Sequence, residues 1–151
     1  LTQILQPTCI KAPLASTNKD DAIEELINLL ADSGCLAERG EALEAVLARE
    51  QTRSTGIGSG IAIPHGKRKG VDELVMAIGI ASEPIAFDSI DNKPVSIICL
   101  LASPVDRTGP HIQALARISR LMLDEEFKGK LEKSTSAEEV YELICMKENE
   151  V

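Results

Sequence analysis

Two apolar runs, Leu74–Ala81 and Val95–Ala102, constrain the fold of this 151-residue chain more than any other feature. Each has the length of a strand, and neither alternates apolar with polar residues as a strand with one wet face would. Strands of that kind need cover on both faces. Asp91-Asn92 between them is a turn signal. Both runs are far too short to cross a bilayer, so no direct membrane insertion is expected.

Helical patterns surround the runs. Asn18 is placed to cap a helix with Asp20 and Asp21 in its first turn, Ile23, Leu26, Ile27 and Leu30 on one face, and Gly34 as its stop. A second helix is predicted from about Glu41 to Gln51, burying Leu43, Val46 and Leu47, and a short strand over Ile61–Ile63. After a polar loop, Pro110 suits the first position of a helix whose apolar spacing is Ile112, Leu115, Ala116, Ser119, Met122 and Leu123. Phe127 and Leu131 mark a short helix, and Ser136 with Glu139 a capping box for a last one burying Val140, Leu143 and Ile144. Strands alternating with helices make an α/β domain. With no repeat, linker or low-complexity segment, residues 1–151 read as one domain.

Phe87, Phe127 and Tyr141 are the only aromatic residues, so the core must be aliphatic and base-stacking platforms are not expected. A formal net charge of −8 argues further against nucleic acid and favours a partner with a basic face. Cys9, Cys35, Cys99 and Cys145 are widely spaced without a Cys-x-x-Cys pair and read as free thiols of a cytoplasmic protein, Cys99 in the core.

The segment Ser54-Thr55-Gly56-Ile57-Gly58-Ser59-Gly60-Ile61-Ala62-Ile63-Pro64-His65-Gly66 carries the chemistry. Pro64 fixes its own φ and pushes Ile63 toward extended geometry, while Gly66 leaves no side chain to block a partner approaching the His65 ring. Ser54, Thr55, Gly56 and Gly58 offer hydroxyl and backbone N–H donors to phosphate oxygens. The segment equally fits a glycine turn entering a strand that ends in Pro-His. Likewise Arg49 fits a solvent-facing cation at a helix end, and His111 a loop-capping side chain at a helix start. Lys67, Arg68 and Lys69 suit either attraction of a phosphorylated partner or a solvated turn.

Taken together, Arg49-Glu50, Ser54-Thr55-Gly56-Ile57-Gly58, Ile61-Ala62-Ile63-Pro64-His65-Gly66 and Gly109-Pro110-His111-Ile112 resemble the IIA component of the bacterial sugar phosphotransferase system (PTS). The likeness runs from about Leu5 to Ile144 and is to the fructose/mannitol branch, which includes the nitrogen-regulatory IIA proteins. It implies a mixed sheet of about five strands with helices on both faces. It implies, too, that His65 accepts a phosphoryl group on Nε2 from the phosphohistidine of the carrier HPr, with Arg49 and His111 lying against it. Neutral imidazole suits that role, since it attacks phosphorus with no proton to remove first. No cofactor is implied.

Other chemistries fail on particular residues. Gly56-x-Gly58-x-Gly60 continues into Ile61 and leads from a helix into a strand, the reverse of a dinucleotide loop. Glycine stands where a nucleophile elbow needs serine around Ser59. Two histidines 46 positions apart, without paired cysteines, offer no familiar metal spacing. The expected partners are phospho-HPr and either a IIB domain or regulated target proteins. The Ile-Pro-His-Gly-Lys form and the helix segment 114–121 lean toward the nitrogen-regulatory role over sugar transport, while the absence of a IIB or IIC segment from this sequence suits a stand-alone regulator and a detached or excised sugar-specific IIA alike.

Overall fold

A computed structural model describes residues 4–36, 38–52, 54–58, 60–67, 73–89, 91–104 and 108–149. Arg68 and Lys69 lie outside them, as do Ser59 and most of the loop before His111. The described residues form six strands and five helices: β1 (Leu5–Leu14), α1 (Lys19–Asp32), α2 (Arg39–Thr52), β2 (Gly56–Gly58), β3 (Ile61–Ala62), β4 (His65–Lys67), β5 (Val75–Ile85), β6 (Val95–Ser103), α3 (Thr108–Leu121), α4 (Glu125–Glu132) and α5 (Ala137–Asn149).

All six strands share one mixed sheet in the order β1-β5-β6-β3-β2, with β4 also paired to β6. Strand β5 is antiparallel to β6 and parallel to β1. Both β3 and β4 run parallel to β6, at Ile61 opposite Ile97 and His65 opposite Leu101, so they are one strand interrupted at Ile63-Pro64. Pro64 lacks an N–H for the ladder but keeps its carbonyl, which accepts from the Leu101 N–H at 2.9 Å.

The continuous apolar runs are explained by the period of two along a strand. Met76, Ile78 and Ile80 of β5, with Ile97, Cys99 and Leu101 of β6, face a layer containing Ala114 and Ile118 of α3, Leu131 of α4, and Val140 and Ile144 of α5. Ala77, Ile98, Leu100 and Ala102 face the opposite way, onto Ile23, Leu26, Ile27 and Leu30 of α1 and Val46 of α2. Helices cover both sheet faces, as expected. At about 25 cal/mol per Å² of apolar surface, each of the larger side chains, Val, Leu, Ile and Met, contributes roughly 2 kcal/mol against the entropy of ordering it.

Helix ends follow their local chemistry. Asn18 caps α1 by accepting the Asp21 N–H at 2.9 Å, and Ser136 accepts the Glu139 N–H at 3.3 Å at the start of α5. One predicted face is rotated. In α3 Ile112 is exposed, as is Leu123 just beyond its end, and the buried positions are His111, Ala114, Ile118 and Leu121, followed by Met122. Ile112 and Ile118 are six residues apart, which puts them about 120° apart around the helix, wider than the buried stripe of α3. Ile118 wins the core, and His111 follows it inward. Pro110 is the third helical residue rather than the first, leaving His111 in the first turn.

Candidate functional site

His65 opens β4, immediately after the break that Pro64 makes in the strand. Its ring turns back on its own backbone: Nδ1 lies 2.7 Å from the Ile63 carbonyl oxygen. A carbonyl only accepts, so Nδ1 carries the proton and the lone pair of the neutral ring sits on Nε2. The tautomer, open at the level of sequence, is decided by this one contact. The ring is half-buried, and burial is the main cause holding its pKa below the ordinary imidazole value. The Ile63 contact and the charge of Glu50 oppose that shift, while the positive charges of Arg49 and Lys67 add to it. His65 is therefore neutral at pH 7.

His111 comes from the first turn of α3. Its ring meets that of His65 edge to face, with centroids 5.2 Å apart and planes at 60°. The residue is 2% exposed, and its Nδ1 is 2.7 Å from the Ser103 hydroxyl. Burial, then the fields of His65 and Lys67, push its pKa down to about 4. Two neutral imidazoles thus face each other at the C-terminal end of β6, each oriented through Nδ1 by a neighbour. Arg49 is in the last turn of α2, partly buried, and its charge is felt at His65. The structure brings His65, His111 and Arg49 together from three separate elements.

The loop between α2 and β3 is differently employed than its composition suggests. Thr55 gives both its N–H and its hydroxyl to the buried carboxylate of Glu50, at 2.7 and 3.0 Å. Ser54 donates its hydroxyl to the Phe87 carbonyl and accepts the Gly56 N–H at 3.1 Å. The donors of Ser54, Thr55 and Gly56 are turned inward rather than offered to a bound anion. Gly58 is at φ +95°, a conformation that favours glycine, where β2 turns toward β3. Gly66 likewise serves packing: a Cβ there would lie 2.9 Å from the Val46 N and 3.1 Å from the Ala45 carbonyl carbon. Its missing side chain admits the backbone of α2 beneath His65, not a partner above it.

A family model described as phosphoenolpyruvate-dependent sugar phosphotransferase system, EIIA 2, matches residues 3–146. The chain belongs to that family. The nitrogen regulatory protein of Klebsiella oxytoca is 36% identical over 147 residues, covering 95% of this chain and 89% of that protein. The fructose-specific EIIABC component of Bacillus subtilis (strain 168) is 33% identical over 144 residues, 95% of this chain; the chain spans only 23% of that relative's length. The crystal structure of the nitrogen regulatory protein IIA-Ntr from Neisseria meningitidis superposes with a TM-score of 0.85 at 34% identity, over 93% of this chain and 96% of that one. Phosphoryl-transfer chemistry comes with the family.

Two parts of this IIA site escaped sequence reasoning. Glu50 is 4% exposed and begins a relay: it holds the Thr55 N–H, the Thr55 carbonyl accepts the Ile63 N–H at 3.1 Å, and the Ile63 carbonyl holds His65. Lys19, at the start of α1, lies 3.7 Å from the same carboxylate and 5.7 Å above the centre of the Phe87 ring. A signal was present, because Glu50 falls four residues after Val46 on the inward face of α2. Ser103, fully buried, orients His111. Its signal was a hydroxyl directly after an apolar strand.

Proposed function

We propose that this IIA protein is a phosphohistidine carrier that accepts a phosphoryl group from phospho-HPr on Nε2 of His65, and acts chiefly as a nitrogen-type regulator. The observation that carries the reading is the 2.7 Å contact between His65 Nδ1 and the Ile63 carbonyl, which leaves Nε2 unprotonated. In transfer, the Nε2 lone pair forms the new N–P bond as the donor's N–P bond breaks, and the departing imidazole keeps that electron pair. No proton moves on His65. As the ring gains positive character, its Nδ1–H bond to the Ile63 carbonyl strengthens.

Phosphoryl transfer asks mainly for position and for charge around the equatorial oxygens. Arg49 supplies a fixed cation. With the Ser103 hydroxyl as donor to His111 Nδ1, the single proton of neutral His111 is on Nε2, available to a phosphoryl oxygen. Ser54, Thr55, Gly56 and Gly58 act indirectly, by fixing Glu50 and the strand that carries Ile63. Incubation with enzyme I, HPr and phosphoenolpyruvate should add one acid-labile phosphoryl group by intact mass. His65→Ala should add none, and full labelling of that variant would overturn the assignment.

The regulatory reading draws on the nitrogen regulatory relatives, which this chain matches over most of their length. A dianionic phosphoryl group on His65 would disfavour a target that covers this face with acidic or apolar surface, so the unphosphorylated form is the one that binds. The second reading, a sugar-specific IIA passing the group to a IIB domain, draws on a fructose-specific EIIA component from Haloferax volcanii, 35% identical over 127 residues and covered to 82%. Rapid stoichiometric transfer to a fructose-type IIB, with equal target binding by both forms, would favour it.

A further inference from the structure

Cys9 and Cys35, 26 residues apart in sequence, are brought to a sulfur–sulfur distance of 3.8 Å. Cys9 is on β1 and 1% exposed, while Cys35 follows α1 and is partly exposed. The segment that carries Cys35 is pinned to α1 and to β1. Its N–H donates to the Leu30 carbonyl at 2.9 Å, and the Ser33 hydroxyl donates to the Thr8 carbonyl at 3.2 Å, next to Cys9 on β1. The two sulfurs are therefore held in register by hydrogen bonds that do not involve them. Cys99, fully buried, belongs to the opposite face of the sheet.

We propose that Cys9 and Cys35 form a reversible dithiol–disulfide site, a redox modification point distinct from the histidine site, whose oxidant is a low-molecular-weight disulfide. The exposed side of Cys35 makes it the entry point. Its thiolate attacks one sulfur of the oxidant, forming a mixed disulfide and releasing one thiol. Cys9, as thiolate, then attacks the Cys35 sulfur and displaces the second thiol. Two protein S–H bonds and one external S–S bond become one protein S–S bond and two external thiols, so atoms and electrons balance. The bond requires the sulfurs to close from 3.8 Å to about 2 Å, the length of a disulfide. The product staples the end of α1 to β1.

The test uses the whole protein and glutathione disulfide, followed by alkylation of remaining thiols and peptide mapping. Of the four cysteines, two should resist alkylation, linked as Cys9–Cys35, and dithiothreitol should restore all four. Cys9→Ala should stop at a glutathione adduct on Cys35, and Cys35→Ser should leave Cys9 unmodified. Closing a loop of this length should raise the melting temperature of oxidised wild type by roughly 10 °C over the reduced form. Four alkylatable cysteines, a bond involving Cys99 or Cys145, or a lasting adduct on Cys35 of the wild type would each overturn the proposal.

Discussion

Glu50→Gln isolates the relay that aims His65, because it removes a charge while keeping the volume of the side chain. The carboxylate is 4% exposed and accepts two hydrogen bonds from Thr55, at 2.7 and 3.0 Å. A glutamine oxygen can keep one of them. Its amide NH2 must then face either the Thr55 N–H or the hydroxyl, and only the hydroxyl can reorient to accept it. Trading charge-assisted bonds for neutral ones costs about 1 kcal/mol, and the strained donor pairing about 1–2 more. Lys19, 3.7 Å away, loses its partner but has a route to solvent, so it adds little.

The expected loss is therefore about 2–3 kcal/mol, or a fall in melting temperature of about 5–10 °C. Urea unfolding followed by circular dichroism measures it, with the exposed Glu44→Gln on the same helix as a control expected within about 0.5 kcal/mol of wild type. The relay makes a second demand. Since the charge of Glu50 raises the pKa of His65, its removal should lower that pKa further in an NMR titration. Displacement of Ile63 should also slow phosphoryl transfer on the order of tenfold, a fraction of the hundredfold that a full 1 Å misplacement can cost. Unchanged stability together with an unchanged His65 titration would refute the relay.

Arg49→Ala and His111→Ala should each slow single-turnover transfer from phospho-HPr on the order of a hundredfold, about 3 kcal/mol, with the fold intact by circular dichroism; wild-type rates would make them bystanders. Because both histidines have pKa values lowered in the folded state, the unfolded chain takes up their protons first as pH falls, so stability present above about pH 6.5 is lost on the way down to about pH 4. Between about pH 8 and 5 the His111 contribution is about 2 kcal/mol, and His111→Gln should flatten that part of the urea-measured profile. Gly66→Ala should cost about 1–3 kcal/mol in urea unfolding, since its Cβ would meet the backbone of α2 at 2.9 Å; a neutral result would show that the helix can retreat.

The amino-acid sequence by itself determined what depends on near neighbours along the chain. Helices α1, α2, α4 and α5 were legible because caps and apolar spacing act within a turn or two, and β5 and β6 because their runs are long and apolar. The Ile-Pro-His-Gly motif disclosed the family, as a specific string of residues can. Tertiary structure decided what depends on partners distant in sequence. Strand β1 was not anticipated, because Pro7 and Pro13 interrupt its pattern and the segment becomes a strand only by pairing with β5, some seventy residues on. Strands β2 and β4 are three residues each, too short for a periodicity, and exist through the ladders they join. The rotation of α3 was settled by competition between Ile112 and Ile118 for one core. The proton on His65, the inward turn of the glycine loop onto Glu50 and the meeting of Cys9 with Cys35 arise the same way. Hydrogen bonds and buried charges are satisfied by whichever group the fold delivers within about 3 Å, and a linear pattern does not contain that distance.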